Sequence, residues 1–116
     1  MSIRKGKEAE KLARTFLESQ GLKFIDRNFN SRVGEIDLIM RDNEFLIFVE
    51  VRSRKSTVYG GALASVNYHK QQKILKAASL YLLTKNLYDN TPVRFDVVTL
   101  DGVPVQFSWI KNAFGN

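Results

Sequence analysis

Two short apolar runs each carry carboxylates at positions where a strand ordinarily places core residues. The first is Val33-Gly34-Glu35-Ile36-Asp37-Leu38-Ile39-Met40 and the second is Phe45-Leu46-Ile47-Phe48-Val49-Glu50-Val51-Arg52. Between them Arg41 to Glu44 are polar, so the segment reads as a β-hairpin. An ionised carboxylate in so apolar a strand loses its hydration and needs compensation. For grouped carboxylates the usual compensation is a divalent cation held by oxygen ligands.

Composition bounds the setting. At 116 residues the chain is expected to form one domain, 1–116, with a single modest core. Its hydrophobic fraction of 44% and charged fraction of 26% are those of an ordinary globular protein. No apolar run approaches the ~18–20 residues that a membrane helix requires. Met1 to Lys7 are basic but no apolar signal core follows, so export is not expected and a cytoplasmic location is. Without cysteine there is neither a disulfide framework nor a thiolate metal site. The net charge of +6 favours a polyanionic partner, and nucleic acid ranks ahead of a basic surface kept for solubility.

Ala9, Leu12, Ala13, Phe16 and Leu17 recur with helical spacing, which predicts an amphipathic helix from about Ile3 to Ser19, stopped by Gly21. Lys23 to Asn30 reads as a first strand, followed by the hairpin. Arg54 to Gly61 reads as a loop. Ser65 is a candidate cap for a second helix running to about Leu83, with Ile74, Ala77, Ala78, Tyr81 and Leu82 as its buried stripe. Val93 to Leu100 and Val103 to Ile110 form a C-terminal hairpin around Asp101-Gly102. The expected order is α-β-β-β-α-β-β, an α/β fold with a central mixed sheet.

Strand alternation puts Glu35, Asp37 and Ile39 on one face of the hairpin and Ile36, Leu38 and Met40 on the other. A turn at Asp42-Asn43, or a loop from Arg41 to Glu44, places Met40 opposite Phe45. Asp37 then faces Phe48 and Glu35 faces Glu50, with Glu50 and Arg52 on the same side. Asp37 and Glu50 become diagonal neighbours ~7–8 Å apart, within joint reach of one cation. A structural ion pair of Arg52 with Asp37 or Glu50, with Glu35 in solvent, is the alternative. Spacing alone leaves the two equally open.

Asp37 followed by Glu50-Val51-Arg52 resembles the metal site of the PD-(D/E)xK nuclease superfamily. The chain as a whole resembles the YraN-like family of small bacterial endonuclease-like proteins. The matching stretches are Gly6 to Ala13, Asn28 to Ile39 with Gly34-Glu35-Ile36-Asp37, Phe48 to Arg54, Ser65-Val66 before Lys70, and Arg94 to Val98. The resemblance implies a restriction-endonuclease-like core and Mg²⁺- or Mn²⁺-dependent hydrolysis of phosphodiester bonds. It implies Asp37, Glu50 and the Val51 carbonyl as metal ligands, with Glu10 or Glu35 completing the shell. Glu10 matches a further acidic position on the first helix of resolvase-like members. A solvated Glu10 paired with Lys7 or Arg14 is nearly as good a reading. Where the superfamily carries lysine, this chain has Arg52. Arginine suits phosphate oxygens but does not release a proton near neutral pH, so it cannot act as a general base. Lys70 is a candidate substitute, though solvation alone accounts for it better.

His69, the only histidine, reads as a surface residue. Arg54 and Lys55, with Tyr59 and Gly60-Gly61, read as backbone contacts to DNA somewhat ahead of a merely solvated loop, and Lys70 joins them as a candidate nucleic-acid contact. Phe107 and Trp109 read as core. The leading expectation is a metal-dependent endonuclease acting on DNA with a structural feature such as a branch, flap or end. A nucleic-acid-binding module that has lost turnover is the alternative, and an adaptor that binds protein through the C-terminal aromatics ranks below both.

Overall fold

A computed structural model describes residues 7–54, 66–87 and 89–115. The elements run α1 (Lys7–Ser19), β1 (Lys23–Ser31), β2 (Gly34–Asp42), β3 (Phe45–Arg54), α2 (Tyr68–Thr84), β4 (Val93–Asp101) and β5 (Gln106–Phe114). This is the expected order. One five-stranded mixed sheet has the spatial order β1-β2-β3-β4-β5. Strands β1, β2 and β3 form an antiparallel meander, α2 carries the chain across to β4 parallel to β3, and β5 returns antiparallel. A parallel pair needs such a crossover, and its strands are buried on both faces. The nearly continuous apolar runs of β3 and β4 follow from that position.

The two helices cover opposite faces. Ala9, Ala13 and Leu17 of α1 pack on Leu38, Met40, Ile47, Val49, Val98 and Leu100. On the other face Ile74, Ala77, Ala78, Tyr81 and Leu82 of α2 pack on Ile36, Ile39, Phe48, Phe95 and Val97, the stripe read from helical spacing. Phe48 meets Tyr81 edge-on with ring centroids 5.8 Å apart and stacks on Phe95 at 5.4 Å. Gly34 lets β2 approach α2 closely, since a Cβ there would lie 2.6 Å from the Lys73 carbonyl oxygen.

Several expectations are corrected. Phe45 pairs with Asp42, not Met40, because the turn is Asn43-Glu44 with Asn43 at φ 56°. Asparagine tolerates that left-handed conformation, so the turn forms one step later than expected. Met40 consequently pairs with Ile47 and Leu38 with Val49. The displacement is two residues, which preserves faces but changes partners. Alternation also breaks at Asp37: Ile36 packs on the α2 side with Ile39, whereas Leu38 and Met40 face α1. Asn67, not Ser65, caps α2, its side chain accepting from the Lys70 amide at 2.9 Å. Ser65 lies outside the described residues, as does the Ile3 to Gly6 start of the first expected helix. Leu12 is exposed rather than part of the buried stripe. The C-terminal strand begins at Gln106, since Asp101 pairs with that residue, and runs on to Phe114. Trp109 is half-buried against the α1 side, but Phe107 stays exposed and stacks on Phe16 at 4.8 Å.

Candidate active site

The β2–β3 ladder ends at Leu38↔Val49. Beyond that pair the strands part, and the Val51 amide donates to Asp37 Oδ2 at 2.9 Å in place of a backbone acceptor. The opening is a cleft of about 270 Å³. Ala9 and Glu10 of α1 line it, with Gly34, Glu35 and Asp37 of β2, Glu50 to Ser53 of β3, and Lys70, Lys73 and Ile74 of α2. Both helices therefore reach one site at the end of the sheet, although they cover opposite faces of it.

Asp37 sits electrostatically between two other carboxyls. Glu50, buried on β3, is pushed up to about 8. Loss of hydration is the main cause, and repulsion from Asp37 and a hydrogen bond shared with it add to the rise. The Arg52 and Lys70 charges work in the opposite direction. Glu10 is pushed up to about 7, first by burial and then by Asp37, against a lowering by Asn28 and Arg27. Asn28 donates its amide to Glu10 Oε1 at 2.8 Å, an orientation assigned from the hydrogen-bond partners. Two carboxyls that hold protons up to neutral pH beside a third mark negative charge that the protein does not itself neutralise.

Arg52 is buried and forms an ion pair with Glu50, one of the pairings expected from spacing. That contact does not use the guanidinium fully. Its Nε lacks a hydrogen-bond acceptor among the described residues, while Nη2 is the atom that meets Glu50. Buried guanidinium donors without acceptors are uncommon and costly. An anion entering the cleft would supply them.

The candidate residues divide clearly. Glu10, Asp37, Glu50, Val51, Arg52 and Lys70 come together at the cleft. Arg14, the suggested partner of Glu10, instead pairs with Glu18 at 3.2 Å. Glu35 lines the mouth but is exposed, and its β-partner is Asn30 rather than Glu50. His69 is exposed. Arg54 ends β3, while its side chain, Lys55, Tyr59 and Gly60-Gly61 lie outside the described residues. Lys73, Gly34 and Asn28 were not singled out for the site. Lys73 follows Lys70 by three residues, the spacing that puts two side chains on one helix face, and that signal was available.

The donor set fits a hard divalent cation. Among the described residues, no three histidine, cysteine or acidic side chains converge as a complete metal cage. Magnesium does not require one, since it binds through one or two carboxylates and keeps several waters. Asp37 and Glu50 are two carboxylates lining one cleft. The N–H and C=O of a strand residue leave on the same edge, so the Val51 carbonyl faces the parted side of the ladder with its amide.

A second buried carboxylate has a different character. Asp96 on β4 is fully buried, and both its oxygens are saturated. It accepts from Arg94 Nε and Nη2, from Trp109 Nε1 and from the Asn112 amide, each at 2.9 Å. Four donors make Asp96 a structural anchor for the irregular β4–β5 pairing, with no lone pair left idle as at Asp37.

Comparisons with known proteins agree on one family. A family model described as "Uncharacterised protein family UPF0102" matches residues 9–100, a span that includes Glu10, Asp37, Glu50 and Arg52. A UPF0102 protein of Legionella pneumophila is 49% identical over 114 residues, covering 98% of this chain and 97% of its own. A UPF0102 protein of Colwellia psychrerythraea is 48% identical, covering 97% and 90%. Another, from Pseudomonas syringae, is 44% identical, covering 94% and 91%. The chain belongs to the uncharacterised protein family UPF0102, the YraN-like family that its motifs resemble.

Proposed function

We propose that this protein is a metal-dependent nuclease that hydrolyses phosphodiester bonds in DNA, with Mg²⁺ or Mn²⁺ as cofactor. One observation carries the reading: Glu10, Asp37 and Glu50 share a cleft with Arg52, Lys70 and Lys73, so cation ligands and phosphate ligands lie side by side. Asp37, Glu50 and the Val51 carbonyl would hold the cation, with Glu10 beside them. A cation bound there supplies charge neutralisation at the phosphate and lowers the pKa of attacking water. Arg52 offers its planar fork to the scissile phosphate and balances charge as it develops. Remaining protonated throughout, it does not serve as the base. Lys70 and Lys73 follow one another along α2 and suit the flanking phosphates, while the +6 net charge draws the polyanion in.

The Glu50–Arg52 ion pair favours a second reading. If the pair stays closed, Glu50 is engaged and the protein binds DNA without cutting it. A panel of branched, flapped and linear DNAs with Mg²⁺ or Mn²⁺ separates the two. Cleavage lost in Asp37→Asn supports the nuclease. Salt-dependent binding without cleavage, unchanged or strengthened in Asp37→Asn, supports the binding module.

A further inference from the structure

We propose that Asn28 is the positioning residue for Glu10, holding its carboxylate at the cation-binding cleft by a neutral hydrogen bond that leaves its charge intact. The inference rests on the metal-site reading above. Asn28 lies within the run Lys-Phe-Ile-Asp-Arg-Asn-Phe-Asn of β1, at a break in its pairing. Pairing with β2 passes from Arg27↔Leu38 to Phe29↔Ile36, omitting Asn28 on one side and Asp37 on the other. The two omitted residues stand at the same gap in the ladder. At that gap Asn28 adopts φ 51°, in the left-handed region. Most side chains resist that conformation, and asparagine accepts it. The amide nitrogen lies 2.8 Å from Glu10 Oε1 and 3.3 Å from Oε2.

The chemical identity of the donor matters more than the bond itself. A lysine or arginine at this place would satisfy Glu10 as an ion pair and cancel the charge that attracts a cation. Arg14, the arginine of α1, is engaged by Glu18, and Arg27 acts on Glu10 through its charge. A carboxylate offers about four lone-pair sites, so an amide occupying one or two leaves others for a ligand. Neutral hydrogen bonds to the carboxylates around a metal are the usual means of orienting them.

The test is Mn²⁺ affinity of the purified full chain, measured by calorimetry and by electron paramagnetic resonance of free Mn²⁺, with no substrate present. Asn28→Gly keeps the left-handed backbone available and removes only the amide. It is expected to weaken Mn²⁺ binding about 10-fold or more. In a Glu10→Gln background the same substitution is expected to have no further effect, since the two act as one unit. Asn28→Lys is expected to weaken Mn²⁺ binding as well and, because it must also bear the left-handed backbone, to melt below Asn28→Gly. Wild-type affinity in Asn28→Gly, or an equal loss with and without Glu10, overturns the assignment and leaves the metal-site reading standing if Asp37→Asn still abolishes binding. No Mn²⁺ binding by the wild-type protein overturns both.

Discussion

The Val51 amide and the Asp37 carboxylate are joined at 2.9 Å at the point where backbone pairing between β2 and β3 ceases. A side chain thus takes over from the ladder, and the same carboxylate has a second oxygen to offer. Asp37→Asn keeps an acceptor for Val51 and removes the charge. It is expected to retain the fold while lowering Mn²⁺ affinity at least about 10-fold. Asp37→Ala also leaves the Val51 amide without a partner and should lose a further ~1–3 kcal/mol of stability. Calorimetry with Mn²⁺ and urea unfolding of the two variants check this. Equal stability would mean that the hydrogen bond contributes nothing.

Raised carboxyls give the metal-free protein a defined pH response. From 4.5, Glu10 is pushed up to about 7 and Glu50 to about 8, mainly by burial. Between these values the folded state holds protons that the unfolded chain has released, so stability falls as pH rises. Their contribution is complete below about pH 4.5 and is lost as pH passes through about 7 and then about 8. Melting temperature without divalent cation should therefore decline from pH 5 to pH 9. Glu50→Gln should flatten the decline, and millimolar Mg²⁺ should suppress it by binding the ionised form. A melting temperature that rises across the same interval would contradict the buried cluster.

Arg52 and Glu50 are expected to respond to pH as a pair. In Arg52→Gln, Glu50 loses its partner but takes up a proton below its raised pKa, limiting the damage. The variant should be nearly as stable as wild type at pH 6 and weaker by several kcal/mol, on the order of a broken buried pair, at pH 9. Arg52→Lys keeps the charge and is expected to retain DNA binding while losing planar contacts to phosphate. Chemical denaturation at the two pH values decides the first claim, and a salt titration of DNA binding the second.

Gly34 sets how closely β2 approaches α2. A Cβ there would meet the backbone carbonyl of Lys73, which is not free to swing aside as a side chain would be. Gly34→Ala is expected to destabilise the protein by ~1–3 kcal/mol, as for overpacking elsewhere. Because Lys70 and Lys73 ride on α2, it should also weaken DNA binding in the folded protein. Thermal melting and fluorescence anisotropy read the two effects, and an unchanged melting temperature would sink the packing argument.

Asp96 makes a contrasting case. Asp96→Asn removes the charge that pairs with Arg94 and places an amide nitrogen among donors. A loss of ~3–5 kcal/mol is expected, with a shift in the emission of Trp109, the single tryptophan. Mn²⁺ affinity of the remaining folded protein should not change, since Asp96 does not line the cleft. Stability and metal binding would thereby separate between two buried carboxylates.

Much of this was legible in the residues. Helical spacing found the α2 stripe from Ile74 to Leu82, and apolar runs found every strand. Asp37, Glu50 and Arg52 stood out because carboxylates in apolar strands demand an explanation. Asp96, in Val93 to Leu100, met the same criterion, but two of its four donors come from Trp109 and Asn112, more than ten residues away in sequence. The hairpin register was missed where Asn43 turns left-handed. Every non-glycine residue with positive φ among the described residues is an asparagine: Asn28, Asn43, Asn86 and Asn112. Those side chains marked the broken positions, yet they read as ordinary polar residues because nothing local separates them from Asn30 or Asn90.

The Asn43-Glu44 turn has a consequence far from itself. It begins six residues, about 20 Å, from Asp37 at strand rise, and does not line the cleft. Sliding β3 by two residues would keep every apolar side chain on its own face, so hydrophobic burial barely distinguishes the two alignments. Only one of them brings the Asp37 carboxylate to Val51 and Glu50. The remote turn thus acts as the indexing pin of this alignment. Loosening the pin, by replacing Asn43 with a residue that refuses the left-handed conformation, is expected to part Asp37 from Val51 without altering a single residue of the cleft.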